Sequence, residues 1–270
     1  MRKLIPISLW LSCSLGALRG QSVDSLRLTL SIPAEAVFVT SDNLSNTYLI
    51  SRNNAILKFD TLGRQSGLFT NKRLGNATFL DAANPLKVLV WYPDFQTLVW
   101  LDRTFSEMGR LEFSKLGLYS VSAVAMSFDG NIWAFDDAES VAFKFSLEGK
   151  KLFESPPLSQ YFSRRFSASR IRDGGQFVGL NDHSGGFCRL DQYGSIAEIN
   201  SSLKLQDFEM EGNWMAYQDG ELLKLRNLTY LKEFQFLLPG SIKKEGNPAW
   251  LGKSCIYVQN GKEIEQYVWK

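Results

Sequence analysis

The chain has one histidine, His183, set in Asn181-Asp182-His183-Ser184-Gly185-Gly186. Asp, His and Ser adjacent in sequence do not make a catalytic triad, whose members come from separate elements. One histidine also excludes a zinc site built on two. The other candidates for chemistry are carboxylates in short polar segments: Asp94, Asp136, Asp137, Glu139, Asp182 and Asp219. A ring of such oxygens suits Ca²⁺, which takes six to eight of them. Asp94, Asp136 and Asp182 are therefore the candidate metal ligands, provided their loops meet at one mouth. The competing reading is turn chemistry, because Asp caps its own backbone in tight turns. No pair has the spacing of a known calcium loop. No catalytic residue is assigned, and no cofactor other than Ca²⁺ is considered.

The densest basic stretch is Ser163-Arg164-Arg165-Phe166-Ser167-Ala168-Ser169-Arg170-Ile171-Arg172. Arginine and aromatic residues dominate many protein interfaces. Arg164, Arg165, Phe166, Arg170 and Arg172 are therefore read as a candidate surface for an acidic partner. The alternative is a solvated connection beside buried phenylalanines. Phe95, in Tyr92-Pro93-Asp94-Phe95-Gln96, is the second candidate contact. It projects from a rim or folds back into the core; the sequence leaves both open.

The elements that must position these residues repeat. Six times a short apolar run is followed by a polar turn and a second apolar run. The first runs begin near Thr47, Val88, Ile132, Phe177, Trp214 and Ile256, at steps of about 41, 44, 45, 37 and 42 residues. That period predicts an all-β, six-bladed β-propeller with about four strands per blade. Leu57-Lys58-Phe59-Asp60-Thr61-Leu62-Gly63 is echoed by Phe143 to Gly149 and Cys188 to Gly194, each ending a tight turn on Gly. Blade two departs from this pattern, reaching Gly only at Gly109. The last blade has three strands, while Leu26-Arg27-Leu28-Thr29-Leu30-Ser31-Ile32 alternates apolar and polar without a partner. The N-terminal strand is therefore expected to complete blade six and close the ring, removing exposed edges. Five blades with an extra sheet is the rival count.

These Phe-Asp-x-x-Gly-like turns, with Asp129-Gly130-Asn131-Ile132-Trp133, resemble six-bladed propellers of the NHL and TolB-like kind. More narrowly, the chain is similar to uncharacterised secreted propellers of Gram-negative bacteria. The resemblance covers nearly all of the chain after the leader and implies architecture. The wider class includes lactonases, lyases and protein-binding frames, so it does not imply one activity.

Residues 1–20 read as a signal peptide: Arg2 and Lys3, an apolar run from Leu4 to Leu18, then small residues. Cleavage is expected before Gln21, leaving residues 21–270 as one propeller domain. Cys13 is not expected to carry a lipid anchor, since Trp10 stands where a lipoprotein leader usually has Leu. Without the leader, 27 basic residues face 28 acidic ones, a net charge of about −1. That balance gives no field to attract nucleic acid. No segment is apolar for long enough to span a bilayer as a helix. Cys188 and Cys255 fall in non-adjacent blades and are expected to be unpaired. The sequence thus favours an exported, non-catalytic interaction module in the cell envelope, periplasmic or outer-membrane-associated, with a protein partner. A calcium-dependent lactonase- or lyase-like enzyme and a small-ligand or glycan binder are the alternatives.

Overall fold

Strands that must be covered on both sides are predominantly apolar. Val88–Tyr92, Thr97–Leu101, Ile132–Asp136 and Val141–Phe145 are buried at every position. Outer strands need cover on one side only: Gln65–Thr70 is partly covered at alternate positions, and Lys151–Glu154 is mostly exposed. In the computed structural model, which describes residues 24–230, 232–238, 240 and 248–269, these runs form six antiparallel sheets stacked as blades. The fold is a six-bladed β-propeller, as the repeat predicts.

Counting from the channel outward, blade one comprises Ala36–Ser41, Thr47–Ser51, Ala55–Phe59 and Gln65–Thr70. Blades two to five begin at Phe79, Val121, Arg170 and Phe208, and blade six at Ala249. We call upper the face carrying the first-to-second and third-to-fourth strand turns. The lower face carries the second-to-third strand turns and the connections between blades. Two large aromatic-rich clusters join the blades; Phe38, Trp91, Phe113 and Tyr257 belong to one, Trp133, Phe135 and Phe166 to the other.

The expected closure is present. Arg27–Ile32 lies antiparallel to Glu263–Val268 as the fourth strand of blade six. The chain then turns directly into blade one. Gln259 pins that turn: its Oε1 accepts from Ala36 N at 3.1 Å, and its Nε2 donates to Ala34 O at 3.1 Å. Ser41 Oγ, in blade one, accepts from Lys253 N at 2.8 Å across the same seam. One pairing was not foreseen. Asp24–Ser25 runs parallel to Glu233–Leu237, so the segment covers the outer edge of blade five before reaching blade six. The expected leader, its cleavage point and Cys13 lie outside the described residues. Cys188 and Cys255 are free and buried.

The repeated turn explains why blade two breaks the glycine pattern. Asp60 Oδ1 accepts from the amides of Leu62 and Arg64 at 2.9 Å each, and Gly63 follows at φ +75°. Asp191 does the same for Tyr193 and Ser195, with Gly194 at φ +88°. In blade two Asp102 plays the Asp role, but the left-handed position is Phe105, at φ 66°. An aromatic residue is disfavoured there. Its ring compensates by burial, 4% exposed and stacked 6.0 Å from Tyr48 of blade one.

Deleting residues 21–33 is expected to open the ring and remove most of the stability, read as loss of the cooperative thermal transition followed by circular dichroism. Phe105→Ala is expected to cost about 3 kcal/mol, measured by urea unfolding.

Candidate functional site

The first strand of each blade faces the channel, so alternate residues of these strands meet there. Arg170-Ile171-Arg172 aims two guanidinium groups at the axis, and Asp207-Phe208-Glu209, beside it in blade five, answers with two carboxylates. Arg172 Nε donates to Glu209 Oε2 at 2.9 Å, and Arg170 Nε to Asp207 Oδ1 at 3.3 Å. Lys253 of blade six reaches Glu209 Oε1 at 2.9 Å and Met210 O at 2.8 Å. Asp81 of blade two is buried beside them, its oxygens taking the amides of Ala83 and Met126. Arg170 lies 5.0 Å over the Phe38 ring and 4.8 Å over that of Phe79. The channel is thus a buried ionic cluster on an aromatic floor.

Burial opposes every charge in it, and the partners decide each outcome. Burial is the largest influence on Glu209, but Lys253 and Arg172 outweigh it and hold its pKa below the ordinary value. For Arg172 too, Glu209, Asp207 and Asp81 overcome burial and raise the pKa. For Arg170 burial prevails over Asp207, with Arg172 adding repulsion, and the pKa falls. For Asp81 burial prevails over Arg172 and raises it.

This corrects the reading of Arg170 and Arg172 as part of an exposed basic surface. Arg172 is 5% exposed and Arg170 is largely covered. Phe166 is not a surface residue either; it is fully buried, stacked 4.5 Å from Phe162. Arg164 is tied to Asp182, Ser184 Oγ and Gly185 O. Arg165 remains on the lower face, its guanidinium on Asp137 O. Phe95 projects, at 57% exposed. The arginines of the stretch therefore split at Ser167: Arg164 and Arg165 lie on the lower face, and Arg170 and Arg172 line the channel.

The three acidic candidates are each held by hydrogen bonds of their own. Asp182 is buried; Ser184, Arg164 and Ser167 donate to it. Burial works against its charge, but these hydrogen bonds prevail and lower its pKa. Asp136 is buried and takes the Glu139 amide at 2.9 Å. Asp94 takes the Asn76 amide at 3.2 Å. Among the described residues no three of His, Cys, Asp or Glu are grouped to hold a metal. Asp136 bonds within its own turn, Asp182 bonds its own turn and the preceding connection, and Asp94 bonds the connection that precedes blade two.

Two mouths flank the cluster. On the upper face a cavity of about 540 Å³ is lined by Asn43, Asn84, Phe128, Asp173, Glu211 and Lys253, among others. Asp173 is fully engaged there, taking hydrogen bonds from Ser127, Phe128, Trp133, Gly175 and Gln192. On the lower face a smaller cup of about 190 Å³ contains His183 and Arg170.

Asp81, Asp207, Glu209 and Lys253 escaped the sequence reading. One signal was available: Arg170 and Arg172 stand 37 residues before their partners Asp207 and Glu209, the same step as between blades four and five.

No family model matches the sequence, and no curated protein matches it. Solved structures share the fold. A streptogramin B lyase superposes with TM-score 0.59 at 11% identity, over 90% of this chain and 96% of that one. Virginiamycin B lyase from Staphylococcus aureus, in a catalytically inactive variant with quinupristin, gives 0.61 at 10%, over 91% and 99%. The Pan2 WD40 domain of Neurospora crassa gives 0.59 at 8%, over 92% and 96%. At such identities they share the propeller architecture with this chain and nothing more specific.

Glu209→Ala should cost about 3–5 kcal/mol, since it strands two buried cations. The depressed pKa also sets a pH signature. Glu209's contribution is complete above its ordinary 4.5 and is lost as pH falls through the lower folded value. Asp81, with a raised pKa, acts in the opposite direction, so the variant must isolate the effect. Urea midpoints taken across the acid range should fall less steeply for Glu209→Gln than for the wild type.

Proposed function

We propose that this chain is an exported, non-catalytic propeller that binds a protein partner in the bacterial cell envelope. Export rests on the order of charged, apolar and small residues over positions 1–20. The interaction reading rests on one sector of the lower face. Phe95 and Tyr119 are 57% and 73% exposed there. They are held close to Arg165 by a chain of contacts. Gln96, next to Phe95, bonds Val121 through both its amide atoms. Asp137 N donates to Ser120 O at 2.9 Å, and Asp137 O takes Arg165. Two projecting aromatic rings and an arginine on rigid turns fit the composition of an interface hot spot.

The alternative, a metal-dependent lactonase or lyase, needs several carboxylates converging on one mouth. Asp94, Asp136 and Asp182 are instead engaged separately, each by hydrogen bonds from its own turn or a neighbouring connection. No helix among the described residues is long and apolar enough to cross a membrane.

The test is capture of envelope proteins by the purified chain, identified by mass spectrometry. The triple change Phe95→Ala, Tyr119→Ala, Arg165→Ala should weaken capture roughly 30-fold or more, the effect of losing a single 2 kcal/mol hot spot. Phe128→Ala with Tyr230→Ala, on the upper face, should not. The reverse pattern would move the interface to the upper face, and no specific capture by the wild type would end the proposal.

A further inference from the structure

The lower mouth of the channel has a composition the ionic cluster does not require. Its cup is walled by Phe79 and Trp91, carries the hydroxyls of Thr78, Ser122 and Ser169, and includes His183. Arg170 is its charged group, and no carboxylate lines it. Asp207 takes the Nε edge of Arg170. Among the described residues, no acceptor takes hydrogen bonds from its Nη1 or Nη2.

Charge matching inside the channel points the same way. Asp207 is shared, since Arg172 Nη2 also lies 3.7 Å from it. Glu209 is engaged by both Arg172 and Lys253. Asp81 is pushed toward its neutral form by burial. Arg170 is left the least compensated cation of the cluster, its plane fixed by Phe38 and Phe79 and its outer fork open to the cup. A guanidinium fork matches a carboxylate in two parallel hydrogen bonds. The partly desolvated setting strengthens such a pair relative to water.

We propose that this cup binds a small organic carboxylate, with Arg170 as its anchor. Thr78 donates or accepts at the rim, with the hydroxyls of Ser122 and Ser169 beside it. At about 190 Å³, the space equals roughly six waters' share of liquid volume. That admits a short-chain acid and excludes a folded peptide. The proposal does not depend on the partner reading; the cup lies at the axis of the lower face, inward of Phe95 and Tyr119.

The test is titration of the purified protein, residues 21–270, with acetate, butyrate and succinate, using phosphate and chloride as controls at matched ionic strength. Affinity is read by calorimetry and by the shift in thermal midpoint. At least one carboxylate should bind and raise the midpoint, while chloride and phosphate should not. Arg170→Lys keeps a cation for Asp207 but loses the fork, and should weaken binding roughly tenfold, the equivalent of one charge-assisted hydrogen bond. Thr78→Phe fills the rim away from the ion pairs and should abolish binding while the protein melts cooperatively. Should Arg170→Lys prove unstable, Thr78→Phe decides alone. Absence of binding by all three acids overturns the proposal. So does unchanged binding in Thr78→Phe, or an equal response to phosphate or chloride, which would mean an adventitious ion only.

Discussion

Everything in this molecule hangs on one antiparallel pairing, that of Arg27–Ile32 with Glu263–Val268. A propeller blade is covered only by its neighbours. Strands such as Val141–Phe145, buried at every position, are soluble solely because another blade lies on each side. In an open array the two end blades would each present an apolar face to water. The pairing converts the array into a ring, and Gln259 and Ser41 fasten the seam where blade six meets blade one. The ionic cluster depends on this too. Lys253 can serve Glu209 only because blade six is held in its place.

The cluster shows how a ring can afford charges at its centre. Each buried ion would be costly alone. Here side chains from three blades supply both signs within hydrogen-bonding distance, and two aromatic rings support Arg170. The arrangement is uneven, however. Arg172 and Glu209 stabilise each other's charged forms, whereas Arg170 and Asp81 are pushed toward neutrality. A site with spare binding capacity is expected at the poorly matched end, on the side where Arg170 meets solvent.

Much of the fold was legible because local chemistry and the period agreed. Asp60, Asp191 and their glycines form the same turn, and Leu26–Ile32 alternates as an unpartnered strand should. Blade two hid its turn, since Phe105 holds a conformation usually reserved for glycine and is kept there by a tertiary contact with Tyr48. The site was harder to see. Arg164 and Arg172 look alike in one basic stretch, and only the start of a channel strand separates them. What distinguishes them is the charge alternation of Arg170-Ile171-Arg172 against Asp207-Phe208-Glu209, visible only once the two blades are laid side by side. Asp94, Asp136 and Asp182 were ambiguous for the opposite reason: a turn and a metal loop use the same residue type.

The closing pairing also has a temporal side. Its hydrogen bonds join residues more than 230 positions apart, as between Ser31 and Glu263. When Arg27–Ile32 leaves the ribosome, the strand it must join has not been made. It remains an unsatisfied edge throughout synthesis, with Leu30 and Ile32 unable to find their final cover. Contacts of such span make folding slow, and exposed strand edges invite pairing with other chains. A cell making this protein therefore has reason to keep that segment sheltered until the whole chain is available.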